Sequence, residues 1–253
     1  EATLPADASG QATIDFLLRR MRHKSDFPAL SESVGAINRI VNSETESVSR
    51  LSNTILKDFA LTNKLLRLVN SAFFGLPTHV SSVGHAVKLL GVETIRALVL
   101  SIELFCDSKS EIPGGLSLQK LWSHSIRVSC FCKTITEYEK QPKEMRDDCF
   151  IAGTLHDLGT LVLATSLPDE YGQLVERCRK EHKPLHIIEM EVFGTTHAEV
   201  GAYLLSLWGF KDCITEAVCW HHEPEHIGCT NFSPLLAVYA ANFFDNDLGS
   251  VIP

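Results

Sequence analysis

The stretch Phe150-Ile151-Ala152-Gly153-Thr154-Leu155-His156-Asp157-Leu158-Gly159 sets a histidine and an aspartate side by side within an apolar run. Phe150, Ile151, Leu155 and Leu158 recur at helical spacing, which predicts a helix carrying both polar groups. Adjacent helical side chains point about 100° apart, but an imidazole and a carboxylate differ in reach and can still meet at one small target. Together they offer a borderline nitrogen and a hard oxygen, a pair suited to iron, manganese or zinc. The dipeptide alone is common by chance, so its surroundings decide its meaning.

Those surroundings are helical in both directions. Upstream, a long helix is predicted over about Leu118–Glu139, and Pro142 allows a restart. Downstream, helices are predicted near Asp169–Glu181, Pro184–Val192, Thr196–Leu207, Asp212–His222 and Phe232–Asp245. Toward the N-terminus, Ile14–Met21 and Leu30–Val41 carry helical spacing, and Ser43-x-x-Glu46 is a capping box before Val48, Leu51 and Ile55. Asp58 caps a helix whose face carries Leu61, Leu65, Leu68 and Val69. A short helix over Val83–Leu90 closes at Gly91, and Glu93–Phe105 is a very apolar one. The polar, turn-rich stretch Asp107–Ser117 reads as a linker. Period-two alternation is nearly absent. The expected fold is all-α, a two-lobed multi-helix bundle with lobes at residues 11–108 and 116–249.

The chain has 253 residues, enough for one large domain or two modest ones. Its net charge of −8 argues against a nucleic-acid binder that works by phosphate neutralisation. No apolar run is read as approaching the ~18–20 residues that span a bilayer, and Glu1–Gly10 lacks the pattern of a signal peptide. The eight cysteines form no C-x-x-C pair and mostly sit in apolar segments. They are expected to be reduced core residues, which implies a cytoplasmic setting.

Histidine carries the chemistry. His124 stands on the predicted long helix in Leu-Trp-Ser-His-Ser. His197 follows Thr196, and Glu199 closes a second capping box around it. His221-His222 ends Ala-Val-Cys-Trp-His-His. The order is H…HD…H…HH, with one or two groups per helix, and a bundle can gather such groups in one interior pocket. The candidate metal ligands are His124, His156, Asp157, His197, His221 and His222. The other reading is a set of side chains that cap helices independently or lie at the surface. His222-Glu223-Pro224-Glu225-His226 fits the pattern H-E-x-x-H, but Pro224 would break the one helix that a zincin site needs. His182 and His186, with Pro184 between them, are expected at the surface. No phosphate loop, dinucleotide fingerprint or nucleophile elbow occurs.

With these residues in place, the chain resembles the HD superfamily of metal-dependent phosphohydrolases. Within it, Leu56–Gly75 (LKDFALTNKLLRLVNSAFFG) and Val80–Leu98 (VSSVGHAVKLLGVETIRAL) resemble the hallmark stretches of the HDOD domain, the HD-related output domain of bacterial signalling proteins. The likeness covers about Phe27–Phe244. It implies an HD-like second lobe that holds one or two ions, iron first, then manganese or zinc, with Asp157 as the bridge. Four departures stand out. Phe59 replaces the usual Pro, and Asn242 stands where the final Asp ligand is expected. Lys120 replaces an acidic residue seen in HD-GYP phosphodiesterases, and no Gly-Tyr-Pro segment occurs. The resemblance therefore implies a signalling module that acts on a protein partner, with weak or no catalysis. The alternative is an active phosphohydrolase on a nucleotide or phosphodiester, with Asp157, His197 and His222 as catalytic candidates. Membrane and nucleic-acid partners are not expected.

Overall fold

A computed structural model describes residues 15, 48–72, 74–106, 111–228 and 231–248. Of the helix expected at Ile14–Met21 only Asp15 is described, and it is helical; the helix expected at Leu30–Val41 and the Ser43 capping box lie outside the described residues. The first described helices are α1 (Val48–Leu56), α2 (Phe59–Val69), α3 (Val83–Leu90) and α4 (Val92–Cys106). α2 starts where Asp58 accepts a hydrogen bond from the Leu61 N–H at 2.9 Å, as its sequence predicts. Its predicted face, Leu61, Leu65, Leu68 and Val69, is buried. α3 ends at Gly91, whose φ of +88° suits glycine.

The expected linker is partly structured. Glu111–Ile112 (β1) pairs antiparallel with Leu116–Ser117 (β2), Ile112 opposite Leu116. Gly114 and Gly115, both at positive φ, make the turn. Next come α5 (Leu118–Tyr138), α6 (Lys143–Leu155), α7 (Leu158–Ser166) and α8 (Pro168–Glu181). The rest is α9 (Leu185–Phe193), α10 (His197–Leu207), α11 (Asp212–Trp220), a 3₁₀ turn (Pro224–His226) and α12 (Pro234–Leu248). Among the described residues, the fold is all-α apart from the two-residue strands.

One expectation needs correction at the decisive stretch. His156 and Asp157 do not ride on one continuous helix. α6 ends at Leu155 and α7 begins at Leu158, with Asp157 at φ −97°, ψ 13° between them. The leucines keep helical spacing across the break, which hid it from the periodicity.

A second correction concerns membrane-scale segments. The helical stretch Lys143–Ser166, 24 residues long, is long and apolar enough to span a bilayer by length and composition. Of its apolar 18-residue window, 89% is buried inside the protein, as a core helix pair would be.

The core places these elements around one interior point. α5 packs along α6, and α12 lies against both. α7 packs on α10, α10 on α11, and α11 on α6 and α12. Two glycines allow close approaches around this point. A Cβ on Gly159 would lie 1.9 Å from the His197 carbonyl oxygen, so α7 and α10 meet backbone to backbone. A Cβ on Gly153 would lie 2.9 Å from Ser129 Cα on α5. α4 packs on α6. Nearby, the buried Arg96 guanidinium donates to the Trp208 carbonyl and lies 4.0 Å from the Phe210 ring centroid. Phe74 meets Phe150 at 5.5 Å between centroids. Six cysteines, at 130, 132, 149, 178, 213 and 219, form no disulfide among the described residues; Cys132, Cys149 and Cys178 are buried in the core and the other three are half-buried.

Candidate metal centre

The six candidate ligands come from four places on the helices. His124 projects from the middle of α5 into the core. His156 and Asp157 occupy the break between α6 and α7. His197 is the first residue of α10, held there by the expected capping box: the Thr196 hydroxyl accepts from the Glu199 N–H, and Glu199 accepts from the Thr196 N–H at 2.8 Å. His221 and His222 end α11. His124, His156, His197 and His221 are all buried, whereas the Asp157 side chain is 13% exposed.

Asp157 sits at the centre. Its Oδ2 lies 3.5 Å from His124 Nε2 and 3.4 Å from His156 Nε2. Its Oδ1 lies 3.5 Å from His197 Nε2 and 3.8 Å from His221 Nε2. His222 Nε2 lies 2.9 Å from His197 Nε2. The ligating atoms form two groups, His124, His156 and Asp157 on one side, and His197, His221 and His222 on the other. The structure thus brings together all six residues singled out from the sequence.

The other ring nitrogens fix the tautomers. His156 Nδ1 lies 2.8 Å from the Gly153 carbonyl, and His221 Nδ1 lies 2.8 Å from the Val218 carbonyl. A carbonyl only accepts, so both Nδ1 atoms carry the proton and both Nε2 atoms carry a lone pair. His124 Nδ1 donates to Asp245 Oδ2 at 2.6 Å, and His197 Nδ1 to Glu189 Oε2 at 2.6 Å. His124 Nε2 and His156 Nε2 then face each other at 3.2 Å, lone pair to lone pair. Only a cation between them, a proton or a metal ion, makes that contact favourable. His221 Nε2 is buried without a hydrogen-bond partner, a costly state for a polar atom. This donor set fits a transition metal: imidazole nitrogens whose far side is anchored on a carbonyl or carboxylate, around a shared carboxylate.

The electrostatics agree. Burial pushes the Asp157 carboxyl up, but His156, His124 and His197 outweigh it and hold the group well below the usual carboxylate range. Burial, then the neighbouring imidazoles, push His221 and His222 below the ordinary histidine range, which keeps them neutral and ready to ligate. Burial lowers His197, but Glu189 and then Asp157 outweigh it and raise it.

Sequence reasoning missed the supporting groups. Asn242 is buried on α12, but the carboxylate that this helix delivers is Asp245, one turn further on. Arg127 clamps Asp245 through two bonds of 2.6 and 2.9 Å. Glu189, fully buried, also accepts the His197 N–H at 2.8 Å and the Tyr171 hydroxyl at 2.6 Å. A charged residue inside Ile187-Ile188-Glu189-Met190 was the available signal for it. His186, expected at the surface, is half-buried and stacks on His222 at 4.3 Å; His182 is exposed. The H-E-x-x-H stretch is no zincin helix: Pro224 opens the 3₁₀ turn, and His226 pairs with Glu223 at 3.2 Å. Lys120 is exposed on α5. Beside His222, a recess of about 110 Å³ is lined by His186, Thr196, Glu199, Trp220 and Glu223 among others, with no Lys or Arg.

Comparison with known proteins follows this geometry. A family model for the HDOD domain matches residues 27–224. The chain is 26% identical over 222 residues to an uncharacterized protein of Treponema pallidum (strain Nichols), covering 85% of this chain and 41% of that protein. It therefore spans less than half the length of this curated relative. It is similar to an HDOD domain protein of unknown function from Geobacter sulfurreducens, at 24% identity and a TM-score of 0.71, covering 92% of this chain and 78% of that one. It is also similar to a provisionally named phosphohydrolase from Shewanella amazonensis SB2B, at 22% identity and a TM-score of 0.70, covering 92% and 80%. At these identities the two crystal structures establish a shared fold.

Proposed function

Because the chain belongs to the HDOD domain family and is a signalling-related, HD-like helical domain, we propose that it is an output module that keeps a loaded metal centre and works through a protein partner, with weak or no hydrolysis. The two oxygens of Asp157, each facing imidazole Nε2 atoms from different helices, carry the metal reading. His124, His156 and Asp157 would hold one ion, and His197, His221 and His222 a second, with Asp157 between them. Iron is the first choice, then manganese or zinc. A bound ion would polarise an oxygen ligand and ease loss of a proton from water.

The weak-catalysis reading rests on what faces the opening. The recess beside His222 offers Glu199 and Glu223, and no Lys or Arg lines it to hold a phosphate anion. The partner reading is supported by Tyr239, Phe243 and Phe244, exposed large rings on α12. A second reading, an active phosphohydrolase on a nucleotide or phosphodiester, is favoured by the buried carboxylates behind His124 and His197. There His222, the least buried imidazole, is placed to pass a proton, and Asp157 orients the imidazoles around it.

Metal analysis and thermal melting separate these readings. Protein purified without chelator and offered iron, manganese and zinc is expected to hold stoichiometric metal and to melt higher than its His156→Ala and Asp157→Ala variants. Turnover of generic phosphodiesters by the loaded wild type is expected below the ordinary enzyme range of ~1–10³ per second. Turnover within that range, abolished by Asp157→Ala, would establish the hydrolase instead. Wild type with no metal and no gain in melting temperature would leave the histidine cluster without a metal role.

A further inference from the structure

Two buried carboxylates support the cluster from behind, and their charges are not balanced alike. Asp245 accepts from His124 on one side and takes both bonds of the Arg127 guanidinium on the other. Its negative charge is matched by a cation before any metal arrives. Glu189 accepts three hydrogen bonds: His197 N–H and Nδ1–H reach Oε2, and the Tyr171 hydroxyl reaches Oε1. Its donors are the His197 ring and amide and the Tyr171 hydroxyl, and among the described residues no Lys or Arg pairs with it. One supporting carboxylate is thus held by a permanently charged guanidinium, and the other only by an imidazole, an amide and a phenol.

The donor count differs in the same sense. On the Glu189 side, His197, His221 and His222 stand with Asp157 Oδ1, making four donors. On the Asp245 side, His124 and His156 stand with Asp157 Oδ2, making three. Four protein donors close the coordination of a tetrahedral ion, whereas three leave a place for water or an exchangeable ligand.

Building on the metal centre proposed above, we infer that its two halves are unequal: the His197–His221–His222 half takes the first ion tightly, and the His124–His156 half takes a second, weaker and exchangeable ion. The domain would then exist in a one-ion and a two-ion state over an accessible range of metal concentration. The weaker half would be the one that exchanges its ligand. Arg127, which touches no proposed metal ligand, acts as a positioning residue that lowers the affinity of this second half by neutralising Asp245.

The test is a titration of the metal-stripped full chain with manganese, bound ion being counted by electron paramagnetic resonance and the melting temperature followed alongside. Two steps at least tenfold apart are expected. Glu189→Gln should weaken the tight step by roughly 10–100-fold, the usual size of a lost buried partner behind a ligand, and spare the weak one. Arg127→Met should strengthen the weak step roughly tenfold, because it unmasks Asp245. A merely structural role for Arg127 predicts no such gain. Arg127 is partly exposed, so this variant reads out the inference even if Glu189→Gln fails to fold. Two equal steps, or weaker binding by Arg127→Met, would overturn the inequality and leave the metal centre standing. No bound manganese in any form would remove the metal centre itself.

Discussion

Gly159 shows how much of the centre depends on one missing methyl group. Its α carbon faces the His197 carbonyl so closely that a Cβ would sit 1.9 Å away. Gly159→Ala must therefore push α7 off α10 and carry Asp157 away from His197. We expect destabilisation of about 3 kcal/mol or more and loss of metal, measured by urea unfolding and metal analysis. Gly84→Ala is the control, since its Cβ would meet only Ser52 Oγ at 3.7 Å; there a stability gain of about 0.5–1 kcal/mol is expected. The metal-free chain should also be acid-sensitive. His221 and His222 have folded values pushed below the ordinary one, so the unfolded chain binds more protons as pH falls below about 6.5. Stability should then drop by up to about 1.4 kcal/mol per pH unit for each group. Denaturant melts from pH 7.5 to 5 would show it, and His222→Ala should flatten the slope; a flat wild-type profile would contradict it. At this scale the clustered histidines were legible because histidine is rare enough for its order to carry information. Asp245 and Glu189 were not, because each looks like any other helical carboxylate. Their partners stand 121 and 8 residues away.

Among the elements, α10 is the one whose first turn serves both folding and site. Thr196 and Glu199 satisfy the amide groups that the helix leaves open, and the box fixes the rotation at which His197 enters the core. Thr196→Ala is expected to cost about 1 kcal/mol and to weaken metal binding as well. Serine at the same place should restore both, because its hydroxyl can cap equally. Chemical denaturation with a parallel zinc titration checks the pair. Cap signals of this kind are local, so they were readable from four residues: Asp58 and Thr196 stand where the sequence puts them. The break at His156–Asp157 was not readable. Nothing in Gly-Thr-Leu-His-Asp-Leu-Gly forbids a helix, and the break follows from packing of α6 and α7 against different neighbours. The hairpin of Glu111–Ser117 was hidden for a similar reason, since two-residue strands leave no periodicity.

For the whole molecule, the two-lobed reading from the sequence gains a physical test. Arg96 lies early in the chain, fully buried, and donates to the Trp208 carbonyl while stacking over Phe210. Phe74 and Phe150 meet across the same region. We expect one cooperative unfolding transition, shifted as a unit by Arg96→Ala, with a loss of about 2–4 kcal/mol for the broken charged hydrogen bond and packing. Two transitions by calorimetry, only one of them moved by the variant, would mean that the lobes unfold separately. The all-α class was readable from spacing throughout, whereas contacts such as Arg96 with Trp208 join residues too far apart for any local pattern to announce. A last consequence concerns synthesis. Lys143–Ser166 has the length and apolarity of a membrane span, yet Asp157 stands close to its middle. A carboxylate there costs about 2.5–3.5 kcal/mol on entry from the translocon into lipid. The residue that gathers the imidazoles thus also discourages the nascent segment from partitioning sideways into a bilayer before its helical partners have emerged from the ribosome.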